Sequence, residues 1–470
     1  MSGTNSRTHG CVDFRRLQSL SRRSALQIGA VTSLGLGLDN LAALQAMGAD
    51  SQWQSHRPKA KACIFLFMWG GPSQLDTWDL KPNAPDEVRG SFKPISTSVP
   101  GTFICEHFSK TAPLVDRLAI VRSLTHNDPA HLSSGHCTVT GQLAPVLKSD
   151  ADPPSAKDSP HIGSLLSKFR SSAPGMPPYV AMPWKALHPA APGGEAPGQH
   201  AGWLGPAHEG MLLTGDLNRP DWKPGGLSLP SDISLERLGA RTELLRILDA
   251  QRAGVVQSRA TATFADYQSR VGEMLSSSKV RQAFDLSQEP DKVRDRYGRN
   301  IHGQCVLMAR RLIEHGIPLV AVNWHNDGKN FWDTHGNNFQ RLKDDLIPPA
   351  DTALSALIED LEQRGMLEET LIAWVGEFGR RPQINPAVSG REHWPFCYSG
   401  VLAGGGIKPG IVHGSSDKHG AYPATDPMSP QDFTTTMLHA LGVHTDMVLY
   451  DRENRPHKVC GGRVVSDLLI

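Results

Sequence analysis

Ala62-Cys63-Ile64-Phe65-Leu66-Phe67-Met68-Trp69 is an unbroken apolar run that stops at Gly70-Gly71-Pro72. A run this short, closed by turn residues, predicts a central strand buried on both faces. Leu118-Ala119-Ile120-Val121 follows a helical pattern over 108–117 and predicts a second strand, and Pro178-Tyr179-Val180-Ala181-Met182 a third. Residues 233–286 carry apolar positions at Leu235, Leu238, Leu244, Leu245 and Leu248 and predict helix. The last third then alternates: helix 302–315, strand 317–324, helix 346–364, strands 370–375 and 398–403, helix 431–441. Alternation of this kind predicts an α/β fold, a doubly wound and mostly parallel sheet with helices on both faces.

The rest of the composition fits a globular chain. Of 470 residues, 39% are hydrophobic and 20% charged, enough to bury a large core. Lys and Arg number 48 against 47 Asp and Glu, so no overall field draws the chain to nucleic acid, and any anion site must be local. With 45 Gly and 35 Pro, much of the chain must run in shaped loops, above all at 186–230, an ordered surface excursion. The seven Cys are scattered and odd in number, which argues against a disulfide scaffold and against a thiolate zinc site.

At the start, Ser21-Arg22-Arg23-Ser24 precedes a weakly apolar stretch rich in Ala, Gly and Leu. This predicts a twin-arginine signal region over 1–49, a linker at 50–60 and a domain over 61–470. The expected partner is the twin-arginine export machinery, and the expected location is the periplasm or cell envelope.

In open α/β sheets ligands bind outside the carboxyl ends of the strands, so the loops after each strand are the ones to search. Four are rich in ligand-type residues: Asp76 and Asp79 after the first strand; His126, Asp128, His131, Ser133, Ser134 and His136 after the second; His325, Asp327, Asp333 and His335 after 317–324; Glu377, Arg380, Arg381, Arg391, Glu392 and His393 after 370–375. Asp333 and His335 are two apart, so on an extended segment they point to one side and can converge on one cation; the alternative is a cap for a helix near Asn337. Glu377 ends an apolar strand and is a metal ligand, a general base or the partner of Arg380. His393 is a third ligand or a half-buried loop imidazole. Asp76 and Asp79 are ligands or turn formers. Ser133 and Ser134 are a nucleophile or helix caps. This oxygen and nitrogen mixture suits divalent cations, one or two of them. No G-x-S-x-G, G-x-x-x-x-G-K-[ST] or G-x-G-x-x-G motif follows a predicted strand.

At these residues the sequence resembles the domain-of-unknown-function family 1501, a twin-arginine-exported group in the alkaline phosphatase and sulfatase superfamily. The carriers are Trp69-Gly-Gly-Pro-Ser-Gln-Leu-Asp76-Thr-Trp-Asp79, residues 131–141, Trp332-Asp333-Thr334-His335-Gly336, Gly376-Glu377-Phe378-Gly379-Arg380 and Gly390-Arg391-Glu392-His393-Trp394. The resemblance implies hydrolysis of sulfate or phosphate esters at a divalent metal site, with Asp333, His335 and His393 as one ligand set and Glu377 with an N-terminal Asp, Asp76, as another. In two respects the sequence departs from active superfamily members. No Cys-x-Pro-x-Arg or Ser-x-Pro-x-Arg motif is present, and Glu377-Phe378 replaces the Asp-His or Asp-Asn pair. Two readings follow. One is a hydrolase of sulfated or phosphorylated small molecules or polysaccharides, in which Arg380 neutralises the anion and His131 or a metal-activated water attacks. The other is a binding or assembly protein that keeps the fold and a degenerate site.

Overall fold

The computed structural model describes residues 58–225, 227, 234–252, 271–324 and 331–470. The expected signal at Arg22-Arg23, most of the 50–60 linker, His325, Asp327 and part of the 233–286 helix lie outside them. Eight strands, β1 (Ala62–Phe67), β2 (Leu118–Leu124), β3 (Val180–Met182), β4 (Met211–Leu212), β5 (Leu319–Asn323), β6 (Thr370–Val375), β7 (Tyr398–Ala403) and β8 (Ile411–His413), form one sheet. Their order is β8-β2-β7-β6-β1-β5-β3-β4. All run the same way except β7, which is antiparallel to both its neighbours, β2 and β6.

The apolar run 62–69 lies at the sheet's centre, and every residue of β1 is buried. Its side chains alternate between two cores, as a period of two requires. Ile64, Leu66 and Met68 pack with helices α2 (Ile301–Glu314) and α3 (Ile347–Gln363), whereas Cys63, Phe65, Phe67 and Trp69 pack with α1 (His131–Thr140) and α4 (Pro430–Ala440). Helices therefore cover both faces. Each fully buried Ile, Leu or Phe contributes about 1.5–3 kcal/mol, so a polar residue anywhere in β1 would undermine the layer that it faces.

Three expectations need correction. The helix expected over 108–117 is only a 3-10 turn, Ala112–Arg117, because Pro113 removes a donor and restricts the residue before it. The 233–286 helix is interrupted at Ser277, which caps a new helix, Ser278–Ala283, by accepting the Val280 N–H. The excursion at 186–230 does more than lie over the surface, since it supplies β4 as an edge strand paired with β3. Among the described residues no helix is long and apolar enough to cross a membrane, and the six described cysteines are free and buried.

Candidate metal centre

Four chain segments meet at the carboxyl edge of the sheet. Trp69 and Gly70 follow β1, His131 opens α1 after β2, Asp333 and His335 follow β5, and Glu377 follows β6. A short antiparallel ribbon, Gly379–Arg380 with His393–Trp394, brings His393 to the same edge. Gly70 permits the approach: its φ is +110°, and a Cβ there would lie 2.3 Å from the Asp333 nitrogen.

Asp333 is the hub. His335 Nε2 is 3.0 Å and His393 Nε2 3.2 Å from its Oδ1, and His131 Nε2 is 3.5 Å from its Oδ2. His131, Asp333 and His393 each offer an atom within 4.8 Å of the others'. Each imidazole is anchored from behind through Nδ1: His131 on Glu377 Oε1 at 2.6 Å, His335 on Glu392 Oε2 at 2.6 Å, His393 on the Pro129 carbonyl at 2.8 Å. Acceptors behind all three rings fix the Nδ1–H proton, so in the neutral rings all three Nε2 atoms turn their lone pairs toward Asp333. The Nε2 atoms of His335 and His393 lie 2.9 Å apart. Two lone pairs and a carboxylate cannot face one another at that range without a proton or a metal ion between them.

Burial and charge agree with this reading. Burial alone would lower the His131 pKa, but the neighbouring carboxylates of Asp333 and Glu377 outweigh it and lift it to about 9. Burial likewise works against the Asp333 carboxylate, yet the Arg380 charge and the three imidazoles hold its pKa well below the usual range. His393 is pushed down, chiefly by burial. Glu377 is fully buried; its Oε1 also accepts the Gly70 N–H at 2.8 Å, and its Oε2 has no hydrogen-bond partner among the described residues. His126 pins the Glu377 backbone by donating from Nε2 to its carbonyl at 2.7 Å. Phe378 lies with its ring centroid 4.8 Å from that of His131 and 4.5 Å from that of His393, and Trp69 is 5.4 Å from His131, so one wall is aromatic. The other side is open, with His335 42% exposed.

Of the residues singled out in the sequence, Asp333, His335, His393 and His131 come together, with Glu377 directly behind His131. Asp76 does not join them. Its Oδ2 accepts from Ser73 Oγ (2.6 Å), Arg391 Nε (2.7 Å) and Asn338 Nδ2 (3.0 Å), and its Oδ1 from Arg391 Nη2 (3.2 Å), so it is a fully matched structural acid. Arg380 also differs from expectation. It is wholly buried, and it donates from Nε to the Gly71 carbonyl, from Nη1 to the Arg391 carbonyl and from Nη2 to the Gly70 carbonyl and Asp333 Oδ1. It steadies Asp333 and does not present an open fork to an anion. Asp79 is likewise engaged elsewhere, by Lys81 and Ser416. Asp333 does not cap the helix after it, whose N-cap, Asn337, makes no side-chain capping bond. Ser134 donates back to the Ala130 carbonyl, and Ser133 accepts the Ser149 N–H at 3.2 Å, so both are structural.

One neighbour of the site belongs to no motif of the sequence. His188, on the excursion, has its ring centroid 5.4 Å from that of His131. Its only sequence signal is that His and Trp recur in an otherwise patternless stretch.

No curated protein matches the sequence. Among solved structures the chain is similar to Ps i-CgsB, solved in complex with k-i-k-neocarrahexaose, at 12% identity, covering 82% of this chain and 72% of that one, with a TM-score of 0.39. It is similar to the sulfatase PsFucS1 from Pseudoalteromonas sp. at 15% identity, covering 87% and 71%, with a TM-score of 0.37. It is also similar to the phosphonate monoester hydrolase SpPMH from Silicibacter pomeroyi at 13% identity, covering 87% and 76%, with a TM-score of 0.30. Residues 60–469 match the family described as "Protein of unknown function (DUF1501)", the same family that the strand-end motifs resemble, and the chain belongs to it.

Proposed function

We propose that this chain is an exported, metal-dependent hydrolase of sulfate or phosphate esters, carried on small molecules or polysaccharides. The observation that supports it is the set of three imidazoles, each anchored through Nδ1, whose Nε2 atoms converge on the Asp333 carboxylate. The residues fit a divalent cation. His131 Nε2 is a buried atom with no hydrogen-bond partner among the described residues, and the 2.9 Å approach of His335 to His393 calls for positive charge between them. Nitrogen-rich donors favour a borderline ion such as zinc or iron over calcium.

In this reading His131, Asp333, His335 and His393 hold the metal. Glu377, Glu392 and the Pro129 carbonyl fix the imidazole tautomers, and Arg380 keeps Asp333 in place. Phe378 and Trp69 exclude water from one side, which strengthens every electrostatic contact there. A bound divalent ion supplies Lewis acidity toward an ester oxygen and toward an attacking water. His131 then acts as a ligand, not as the attacking group, because its Nδ1 is committed to Glu377 and its Nε2 to the cluster. Export by the twin-arginine route, which carries folded proteins, is part of the same proposal and rests on Arg22-Arg23 ahead of a weakly apolar run.

The test is metal analysis of protein purified without chelator, followed by assay on aryl sulfates and aryl phosphates. Wild type should carry about one equivalent of a borderline divalent ion per chain, and Asp333→Ala should carry almost none and turn over nothing. A wild-type protein that binds no metal and cleaves neither ester would hand the fold to the binding-protein reading.

A further inference from the structure

With the Arg380 donors committed to carbonyls and to Asp333, an anionic group at the mouth of the site needs a different donor. We infer that His188 is a substrate-contacting residue, donating its Nε2–H to an oxygen of the sulfate or phosphate group; this rests on the hydrolase reading above.

Placement comes first. The Leu187 carbonyl accepts a hydrogen bond from Trp69 Nε1 at 3.2 Å, and Trp69 itself packs on His131, so the backbone next to His188 is tied to the end of β1. The His188 ring lies beside that of His131 and is half-buried.

The tautomer comes second. His188 Nδ1 accepts the Ala190 N–H at 3.3 Å, so the proton of a neutral ring sits on Nε2, where it can be donated. This is the opposite arrangement to the three clustered imidazoles, whose Nδ1 atoms face acceptors and whose Nε2 atoms face Asp333. His188 is therefore set up as a donor, and its neighbours as ligands.

Rigidity comes third. The turn that carries His188 is closed by His188 N–H to the Gly194 carbonyl and Gly194 N–H to the Ala191 carbonyl, both at 2.8 Å, and by a bridge between Leu187 and Glu195. Gln199 clamps both the N–H and the carbonyl of Ala186. A donor held this way loses little freedom when it meets a ligand. The charged groups around the ring are the carboxylates of Asp150, Asp333 and Glu377 and the imidazole of His131. Of the acids, Asp333 is paired with Arg380, and Glu377 with His131.

The experiment uses the full metal-loaded chain with inorganic phosphate and inorganic sulfate as probes, measured by calorimetry, beside metal content. His188→Ala should keep its metal and bind the anions about tenfold more weakly, the scale of one hydrogen bond lost. His188→Gln, whose amide nitrogen reaches the Nε2 position, should recover most of that loss, and His188→Asn, which reaches only the Nδ1 position, should not. A merely structural His188 would not produce that split. Unchanged anion binding in His188→Ala overturns the inference while leaving the hydrolase reading intact. Loss of metal in His188→Ala also overturns it, by making His188 a ligand. A wild-type chain that binds neither metal nor anion overturns both.

Discussion

The molecule contains two buried carboxylate–arginine pairs that look alike and behave oppositely. Asp76 and Arg391 are each fully buried, and every polar atom of the pair is matched: Arg391 spends its remaining donors on the carbonyls of Val88, Arg381 and Pro382. Asp333 and Arg380 begin the same way, with the arginine sealed among carbonyls. Around the Asp333 carboxylate, however, stand three imidazole Nε2 atoms, and acceptors outnumber donors. A matched pair is closed to chemistry; a cluster of acceptors facing one another is a binding site for positive charge. Charged residues mark both places, so what distinguishes them is the excess left after the internal partners are counted.

That contrast should break most visibly at Asp76. Asp76→Ala leaves Arg391 buried without its counter-charge, a loss of about 3–5 kcal/mol to be read from urea unfolding, while metal per folded chain stays at the wild-type level. Metal loss at unchanged stability would instead make Asp76 a ligand and dissolve the comparison. A smaller effect is expected at Glu377. Glu377→Gln keeps the shape behind His131 but removes the charge that orients it, so chelator competition should show metal affinity down about 10–100-fold, with the unfolding midpoint little moved. An unchanged affinity would mean that the ring needs no such anchor.

The smallest effect extends the comparison to a cluster whose matching depends on one proton. His200 lies 2.6 Å from Glu195 and 2.9 Å from Glu209, and these bonds raise its pKa to about 9 despite partial burial. The charged imidazole is therefore favoured in the folded state. Its contribution is complete below about pH 6.5, the ordinary histidine value, and disappears as pH rises through about 9. Burial opposes ionisation of Glu195 and Glu209, but His200 overrides it and holds both pKa values down, so they support the cluster until strongly acidic pH. After allowing for solvent screening, wild type should exceed His200→Gln by about 1 kcal/mol near pH 6 and by almost nothing near pH 10. A difference that is flat with pH would show that the ring is only a spacer.

How much of this was legible in the sequence depends on the range of the interaction. β1, β6 and β7 were readable because a buried strand is a short apolar run between turn residues, and 370–375 and 398–403 match their observed bounds. The convergence of Asp333, His335, His393 and Glu377 was readable because loops after parallel strands share one edge of the sheet. Asp76 and Asp333 could not be told apart, since the guanidinium that neutralises Asp76 belongs to Arg391, 315 positions away. The same limit hid the Pro129 carbonyl that sets the His393 tautomer, and the carbonyls that absorb Arg380. His188 lay in a stretch without periodicity, and what brings it to the site is the Trp69 indole, 118 positions from Leu187. Backbone patterning survives in one dimension, but cancellation of charge does not.

The reversed strand β7 carries a consequence for how the chain comes into being. β2 has only β7 and β8 as sheet neighbours, and both belong to the last fifth of the chain. A ribosome therefore delivers β2, and His131 just after it, long before any strand that can hold them in the sheet has been made. Vectorial synthesis cannot complete the domain step by step, because its middle is closed by its end. A product that terminates before residue 398 would lack the strand that joins β2 to β6, and with it the means of setting His131 opposite Glu377.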